Sequence, residues 1–424
     1  MIKFVGQIFN FSFVWTYYPF IYLALACQSF LNSLKAIRRT PNVIWEKDYD
    51  GNQIALVAIY QKGKLRRDTE TLLATLKKQG IFVVVVNTLK FRDPEAYKSS
   101  IDCYIERYNY GRDFGSYQTG FLHIFKRDWN ESCPRLLMIN DSVFSVSDRI
   151  EKFVEEMMNS ECEVLGSTEN YETAHHLGSF CIAFAGNIIR HRAFVHYWKR
   201  YKNSDIRPKV IKNGEMGLSK VLKKCVTAHS EFRSLYGSSE FLRRLQENDK
   251  MIDDSIRRSR QSTITSWKRF SAQKIIEELR KYYLIRGSEI PEDVSLRLNE
   301  EKLSERFVVN DLAGIIELAK AEIRQGDEID PDLIRRVVIS HLTHIFMVGS
   351  QIHQNASTLI KMGLPIVKID GLYRGMFTVQ DIQSITDQLP REDSIDLQAL
   401  LLERPFGGDI YIGWRYSAFM RGLI

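Results

Sequence analysis

The residues best suited to bind a metal ion or a substrate follow an apolar run that ends at Ile139. Asn140, Asp141 and Ser142 come directly after it. A carboxylate at the end of a buried strand is well placed to hold a divalent cation that bridges a diphosphate, because Mg²⁺ favours carboxylate and phosphate oxygens. Asp141 is therefore a candidate ligand of Mg²⁺ or Mn²⁺. The alternative is a turn or helix cap, a common use of Asp and Ser.

A second candidate group is the glycine-rich segment 107–120, RYNYGRDFGSYQTG. Glycines permit tight turns and close backbone approach, and Arg112 offers a planar cation to a phosphate or to Asp113. A helix that begins here would also present free N–H groups to an anion. The alternative is a glycine-rich turn with a local Arg–Asp pair. The spacing matches neither GxGxxG nor GxxxxGK[ST], which excludes a dinucleotide fingerprint and a P-loop.

Two further groups contain candidate acid–base residues. His175 and His176 are adjacent, and neighbouring side chains of an extended chain point in opposite directions, so they are poor partners for one metal ion. One of them is a candidate hydrogen-bond partner of a substrate. The alternative is that the two histidines are simply a pair on the surface. Glu215 precedes a predicted helix, where an acid ordinarily complements the helix dipole. It becomes a candidate general base only if it faces the same crevice as Asp141.

The elements that must position these residues form an α/β pattern. Residues 54–60 and 81–86 are apolar, β-rich runs on either side of a helical pattern over 64–79. This order predicts a parallel βαβ unit with a right-handed crossover. Further strands are predicted at 135–140, 162–166 and 179–185, and helices at 117–128, 148–159 and 190–202. A mostly parallel, Rossmann-type sheet places ligands at the carboxyl ends of its strands, where these polar residues lie.

Composition narrows the class of protein. The 424 residues are 44% hydrophobic and 26% charged, with a formal net charge of +7. The apolar content excludes a disordered chain, and the weak basic excess does not indicate nucleic-acid binding. The six cysteines contain no CxxC pair, so a metal-binding knuckle or a dense disulfide framework is not expected, and a reducing cytoplasm fits best.

The flanks of this core favour a lipid surface. Residues 11–27, FSFVWTYYPFIYLALAC, carry no charge, and three interpretations stay open: a helix lying in the membrane plane, a true span or uncleaved anchor, or a helix docked on its own domain. The segment 257–281 mixes basic residues with aromatics such as Trp267 and Phe270. It is either a lipid-binding helix or a solvated helix packed on the core. The aromatic tail 406–424 could join the N-terminus in one membrane-facing surface.

Four segments in one order resemble a known family. RxNxGRDFGSYxxG, RLLMINDSVF, HxxSFxxxF and GExGLSxxL are similar to the rhamnan synthesis F (RgpF-like) family of bacterial polysaccharide glycosyltransferases. Residues 355–368 also resemble that family's closing N-P-T…L-I…G-x-P-x-x-K element, with Ala356 in place of the usual Pro. The resemblance covers roughly residues 50–235 and 350–375.

The resemblance implies a GT-A-like fold and an inverting glycosyltransferase of rhamnan or O-antigen synthesis. The implied donor is a nucleotide sugar such as dTDP-rhamnose, and the implied acceptor is a lipid-linked glycan at the cytoplasmic face of the bacterial inner membrane. Nucleic acid is not an expected partner. Glu215 resembles the acid of an E-D-x-x-L helix start, with Met216 where that motif has Asp, and is the expected base. His176 is the second expected catalytic residue. The expected donor-binding residues are Asn109, Gly111, Arg112, Asp113, Gly115, Asn140, Asp141, Ser142 and Ser179.

The predicted organisation has four parts. Residues 1–44 form a hydrophobic membrane-associated segment, residues 45–235 the catalytic core, residues 236–349 a helical insertion or subdomain, and residues 350–424 a return to the core with an aromatic tail. A different class of function also stays open. The missing Asp-x-Asp after a buried strand and the Glu215–Met216 pair would suit a non-catalytic scaffold that binds a nucleotide sugar or glycan.

Overall fold

A computed structural model describes residues 2–171, 173–261, 270–286, 309–323, 330–348, 350–369, 377, 379–402, 412–420 and 422–423. The strands are β1 (Asn42–Glu46), β2 (Ile54–Ile59), β3 (Phe82–Asn87), β4 (Cys103–Glu106), β5 (Arg135–Asn140), β6 (Val143–Ser145), β7 (Val164–Gly166), β8 (Glu169–Asn170), β9 (His176–Leu177), β10 (Cys181–Ala185), β11 (Phe232–Ser234) and β12 (Ile366–Lys368).

The helices that precede β11 are α1 (Ile2–Ile37), α2 (Arg67–Lys78), α3 (Arg112–Lys126), α4 (Trp129–Ser132), α5 (Ile150–Met158), α6 (Gly186–Arg190), α7 (Arg192–Arg200), α8 (Arg207–Val210) and α9 (Met216–Cys225). Those that follow it are α10 (Ser238–Glu247), α11 (Asp249–Gln261), α12 (Ala272–Arg286), α13 (Leu312–Glu322), α14 (Pro331–Met347), α15 (Gln351–Gln354), α16 (Ala356–Lys361), α17 (Val379–Thr386), α18 (Arg391–Leu402) and α19 (Trp414–Met420). Short 3₁₀ turns occur at Pro94–Tyr97 and His229–Glu231, and a π-helical turn occurs at Ile211–Glu215.

Eight strands form the central sheet, in the order β1-β4-β3-β2-β5-β10-β7-β11. The pairings of β4 with β3, β3 with β2, β2 with β5 and β11 with β7 are parallel. Those of β1 with β4, β5 with β10 and β10 with β7 are antiparallel. The predicted α/β class with a mostly parallel sheet is confirmed, and the predicted βαβ unit is β2-α2-β3.

The central strands are buried on both faces. In β2, Ala55, Val57 and Ile59 belong to one hydrophobic cluster, and Ile54, Leu56 and Ala58 belong to another. Successive side chains of a strand point to opposite faces, so an uninterrupted apolar run requires a cover on each side. Helices α2 and α5 cover the first face, and helices α3, α6, α7 and α9 cover the second.

The helices between β11 and β12 pack on the first face. Apolar side chains of α10 to α14 belong to the same buried cluster as β2 and α2. Phe270, Ile275 and Ile276 of the basic segment 257–281 lie inside it, so these side chains are taken up by the core rather than by lipid. Trp267 falls outside the described residues. The division of the chain into four parts stays a prediction.

Two sets of contacts hold the distal chain and the N-terminal helix on the domain. Strand β12 pairs antiparallel with β6, and Lys368 lies opposite Val143. Helix α1 packs Ile21 and Leu25 against Ile206, Ala418 and Leu423. The N-terminal helix and the end of the chain therefore share one cluster.

Helix α3 approaches the sheet closely at Gly120. A Cβ on this residue would overlap the side chain of Leu56, which is fully buried in β2. We expect Gly120→Ala to lower the free energy of unfolding, because overpacking a core costs about 1–3 kcal/mol and the gain in helix propensity returns only about 1 kcal/mol. Urea denaturation measures the difference.

The matched control is Gly217→Ala in α9. A Cβ there would meet its nearest neighbour, the carbonyl of Lys212, at an ordinary 3.5 Å. This variant should be as stable as the wild type or more so. Equal stability of the two variants would contradict the close approach of α3 to β2.

Candidate active site

The carboxyl ends of the parallel strands open into a cavity of about 370 Å³. The residues that follow β2, β3, β4 and β5 contribute Tyr60, Thr88, Asn109 and Asp141 to its walls. The ends of parallel strands meet at one edge of the sheet, which is where open α/β folds bind ligands. Asn109 and Asp141 thus lie at this edge of the sheet, and their roles in binding a donor stay predictions.

A second cavity, of about 430 Å³, lies beside the first. His176, Ser179, Glu215 and Lys368 are among its lining residues. Arg112, Asp113 and Ser142 line both cavities. The two cavities therefore adjoin, and together they are called the cleft, with Asp141 in one half and Glu215 in the other. The role of Glu215 as a general base stays a prediction.

A chain of hydrogen bonds crosses the junction of the two cavities. The side-chain amide of Asn140 donates to Oδ2 of Asp113 at 2.8 Å, and its Oδ1 accepts from the hydroxyl of Ser142. That hydroxyl in turn accepts from the ammonium of Lys368. Asn140 is buried, so its amide fixes the positions of groups from α3 and from the turn after β5.

Asp141 is held by donors from the turn after β2. Its Oδ2 accepts from the backbone N–H of Tyr60 at 2.8 Å and from Nε2 of Gln61 at 2.9 Å. Nη1 of Arg66 donates to its backbone carbonyl at 3.0 Å. Burial raises the pKa of Asp141 above its ordinary value, although the charge of Arg66 and these hydrogen bonds oppose that effect.

The glycines of the 107–120 segment shape the backbone rather than line the cleft. Gly111 has a φ of +86°, and a Cβ on Gly115 would clash with the guanidinium of Arg107 and the carbonyl of Tyr110. Neither glycine lines the two cavities, so their predicted contact with the donor is indirect. Arg112 also has a positive φ, of 54°, which is uncommon outside glycine and typical of functional sites.

Glu215 ends a π-helical turn and directly precedes α9. Such turns frequently lie at functional sites, because the extra residue redirects a side chain. Nδ1 of His176 donates to the carbonyl of Ala174 at 2.7 Å, so Nε2 is the ring atom that faces Glu215, 3.8 Å from its Oε2. Burial raises the pKa of Glu215, and the positive charges of Lys368 and His176 oppose the rise.

His175 and His176 do separate work, as expected for neighbours on an extended chain. Nζ of Lys223 donates to Nδ1 of His175 at 3.2 Å, which leaves the Nε2 proton of His175 for Glu169 at 3.1 Å. Glu169 also accepts from the backbone and hydroxyl of Ser238 at 2.7 Å each. Burial alone would raise the pKa of Glu169, but these hydrogen bonds outweigh it and lower the pKa to about 2.

Several cleft residues were not expected as site residues from the sequence. Lys368 lay inside the family-like segment 355–368, but no role was assigned to it. Tyr60, Asp205 and Asn32 had no sequence signal. Asp205 accepts from the N–H of Gly111 at 2.8 Å and from the side-chain amide of Asn32 at 2.9 Å, so helix α1 reaches the wall of the first cavity.

Metal-binding residue types also meet at the outer edge of the sheet. Within the described part of the chain, Glu46, Cys103 and His123 form the one group of three or more such residues with ligand atoms close together. The ring of His123 is hydrogen-bonded to Glu46, and Nη2 of Arg127 lies 2.8 Å from the same carboxylate. This cluster is closed by its own ion pairs and lies apart from the cleft.

Comparison with known proteins supports the motif-based resemblance. Residues 81–232 match the model of the rhamnan synthesis protein F family, which confirms the resemblance over that stretch. The matched stretch contains Asn109, Arg112, Asp113, Asn140 to Ser142, His176 and Glu215. Lys368 and Tyr60 lie outside it.

Individual relatives are more distant. A protein of Sinorhizobium fredii named y4gN is 28% identical over 173 residues, which is 39% of this chain and 45% of that protein. The virulence protein VirA of Vibrio anguillarum is 33% identical over 86 residues, 20% of this chain and 26% of that protein. The chain thus matches less than half the length of these curated relatives.

Among solved structures, the glycosyltransferase GlyE of Streptococcus pneumoniae is similar over 69% of this chain and 64% of that chain. The sequence identity is 12% and the TM-score is 0.25. That likeness is too weak to support a structural conclusion.

The lowered pKa of Glu169 predicts a pH-dependent stability. The folded pKa of about 2 lies below the ordinary value of 4.5, so the stabilisation is complete above about pH 4.5 and is lost as the pH falls toward 2. The shift corresponds to about 3 kcal/mol. Between about pH 5 and pH 3 the stability advantage of the wild type over Glu169→Gln should shrink, measured by chemical denaturation. An advantage independent of pH would show that Glu169 is not charged in the folded protein.

Proposed function

We propose that this protein is a glycosyltransferase that transfers a sugar, rhamnose or a related deoxysugar, from a nucleotide-sugar donor to a cell-surface polysaccharide. The observation that carries the proposal is the cleft in which Asp141 and Glu215 line adjoining cavities at the carboxyl edge of the sheet. The family match over residues 81–232 supports polysaccharide synthesis as the setting.

The two halves of the cleft suit the two parts of such a donor. The nucleoside would occupy the first cavity, where the exposed ring of Tyr60 and the side chains of Thr88 and Asn109 offer stacking and hydrogen bonds. The diphosphate would lie at the junction, between Arg112 and Ser142. The sugar would then enter the second cavity, beside Ser179, His176 and Glu215.

Glu215 is the proposed general base. In an inverting transfer a base removes the proton of the acceptor hydroxyl while that oxygen attacks the anomeric carbon and the nucleoside diphosphate leaves. Burial raises the pKa of Glu215, which strengthens it as a base once it is ionised. His176, whose Nε2 faces Glu215, is the proposed partner that stabilises the carboxylate and orients it.

The cleft fits a divalent cation poorly. Asn140 and Ser142, which flank Asp141, are uncharged, and Oδ2 of Asp141 already accepts two protein hydrogen bonds. Asp113 accepts from Asn140. A Mg²⁺ site ordinarily uses one or two carboxylates together with substrate phosphates, and here both of these carboxylates already accept hydrogen bonds from the protein. No step of the proposed transfer is therefore assigned to a metal ion.

The assignment of Glu215 is tested by substitution. Glu215→Gln should lower kcat by at least a hundredfold, because general-base catalysis contributes about 10²- to 10⁴-fold. The acidic limb of the wild-type pH–rate profile should lie above the ordinary range of a glutamate and should vanish in the variant. Transfer of sugar from a panel of nucleotide sugars to a membrane extract provides the assay.

The control for this experiment is Glu247→Gln. Glu247 is an exposed acid on α10 that pairs with Arg243, so its removal changes the net charge equally without touching the cleft. Near-full activity of Glu215→Gln would remove the base assignment. Binding of a nucleotide sugar by the wild type without turnover on any acceptor would favour the scaffold alternative.

We also propose that α1 attaches the enzyme to the cytoplasmic face of the bacterial inner membrane. Its segment Tyr17–Ile37 is long and apolar enough to cross a bilayer. At 100° per residue, however, Ile21, Leu25 and Ser29 fall on one side of the helix, and this side is buried. A helix packed on its own domain along this side is not surrounded by lipid, so we propose that α1 lies in the plane of the membrane surface rather than across the bilayer.

The opposite side of α1 is apolar and exposed. It carries Phe20, Leu23, Phe30, Leu31, Leu34 and Ile37, which are between 44% and 78% exposed. Lys35, Arg38 and Arg39 follow at the end of the helix and suit anionic headgroups. Because Asn32 of the same helix lines the first cavity, the cleft opens near this surface, where a lipid-linked glycan acceptor would arrive.

The membrane proposal predicts that Leu23→Gln with Phe30→Gln weakens binding to phosphatidylglycerol vesicles about tenfold or more. Each exposed apolar side chain is worth about 1.5–3 kcal/mol when it leaves water, and about 1.4 kcal/mol corresponds to tenfold in affinity. Co-sedimentation measures this change. The control is Ile395→Gln, which removes an exposed apolar side chain from α18. Equal binding of all three proteins would contradict attachment through α1.

A further inference from the structure

Most of the carboxylates in the cleft already accept hydrogen bonds from the protein. The acids of the cleft other than Glu215 are already engaged by protein donors: Asp113 by Asn140, Asp141 by Tyr60 and Gln61, Asp205 by Gly111 and Asn32, and Glu169 by His175 and Ser238. Carboxylates whose lone pairs accept protein hydrogen bonds are poorer ligands for an additional cation. One oxygen of Asp113 and one of Asp141 are therefore already used by the fold.

The two cations at the junction, Lys368 and Arg112, have no charged partner within ion-pair distance in the part of the chain that the structure describes. The ammonium of Lys368 donates to the hydroxyl of Ser142 and lies 5.1 Å from the ring centroid of Phe180. Nη1 of Arg112 donates to the backbone carbonyl of Asp205 at 3.3 Å. The charge of Lys368 acts on Glu215, but among the described residues no carboxylate lies within ion-pair distance of either cation, so both can still bind an anion.

These two cations come from different elements of the fold. Arg112 begins α3, in the left-handed conformation that follows Gly111. Lys368 ends β12 and enters the cleft only because β12 pairs with β6, directly after Ser142. Ser142, which binds Lys368, lines both cavities, as does Arg112. An anionic group at the junction would thus have both cations among the groups around it.

We infer that Lys368 and Arg112 bind the diphosphate of the nucleotide-sugar donor and neutralise it as it leaves, in place of a divalent cation at Asp141. This inference rests on the proposed glycosyltransfer. When the bond between the anomeric carbon and the β-phosphate oxygen breaks, its electron pair stays on the nucleoside diphosphate. A fixed ammonium and a guanidinium then stabilise the added negative charge, as preorganised cations do in phosphoryl chemistry. Asp141 instead orders the turn after β2 through Tyr60 and Gln61.

The test measures binding of dTDP and UDP to the full chain by calorimetry, in excess Mg²⁺ and in EDTA. The dissociation constant of the wild type should be the same in both buffers. Lys368→Met should weaken binding about tenfold or more, because a charge-assisted contact to phosphate is lost. Lys368→Arg should bind within about threefold of the wild type, since the positive charge is kept.

The matched control is Lys220→Met, which removes an exposed lysine of α9 that lines neither cavity. It should bind like the wild type, and thermal melting verifies that each variant is folded. Binding that requires Mg²⁺ overturns the inference even if Lys368→Met does not fold. Wild-type affinity in a folded Lys368→Met also overturns it. If the wild type binds neither nucleotide in either buffer, the proposed function is overturned as well.

Discussion

The cleft depends on the side-chain amide of Asn140. This buried group donates to Asp113 at the start of α3 and accepts from Ser142 in the turn after β5. An amide can donate and accept at once, so a single residue fixes two elements relative to each other. A carboxylate at this position would repel Asp113, and an apolar side chain would remove both hydrogen bonds, each worth about 0.5–1.5 kcal/mol.

The electrostatics of the cleft follow from this arrangement. Burial alone would disfavour the charged form of every acid that lines it, and the fold offsets that cost with backbone and amide donors for Asp113, Asp141 and Asp205. Burial raises the pKa of both Asp141 and Glu215, and Asp141 is the one of the two that donors from the turn after β2 hold in place. The acids thus differ in their contacts: protein donors hold Asp113, Asp141 and Asp205, whereas Glu215 is the proposed base. Lys368 and Arg112 are the cations proposed to bind the donor diphosphate.

The position of α1 connects this chemistry to a surface. One side of the helix is fixed by Ile21 and Leu25, and Asn32 bonds to Asp205 at the wall of the cleft. The opposite side is apolar and exposed. A helix fixed on one side and bare on the other presents a surface suited to lipid at a fixed place relative to the cleft.

The sequence by itself determined the α/β class, the βαβ unit and the segments that hold Asp113, Asp141, His176 and Glu215, because apolar runs and turn residues are local signals. It missed β1 and β4, which are short and border polar residues. Only the tertiary structure decided that Gly111 and Gly115 serve packing, that α1 is fixed along one side, and that Lys368 joins the cleft. Lys368 lies 226 positions from Ser142 along the chain, and the pairing of β12 with β6 that unites them leaves no periodic trace in the sequence.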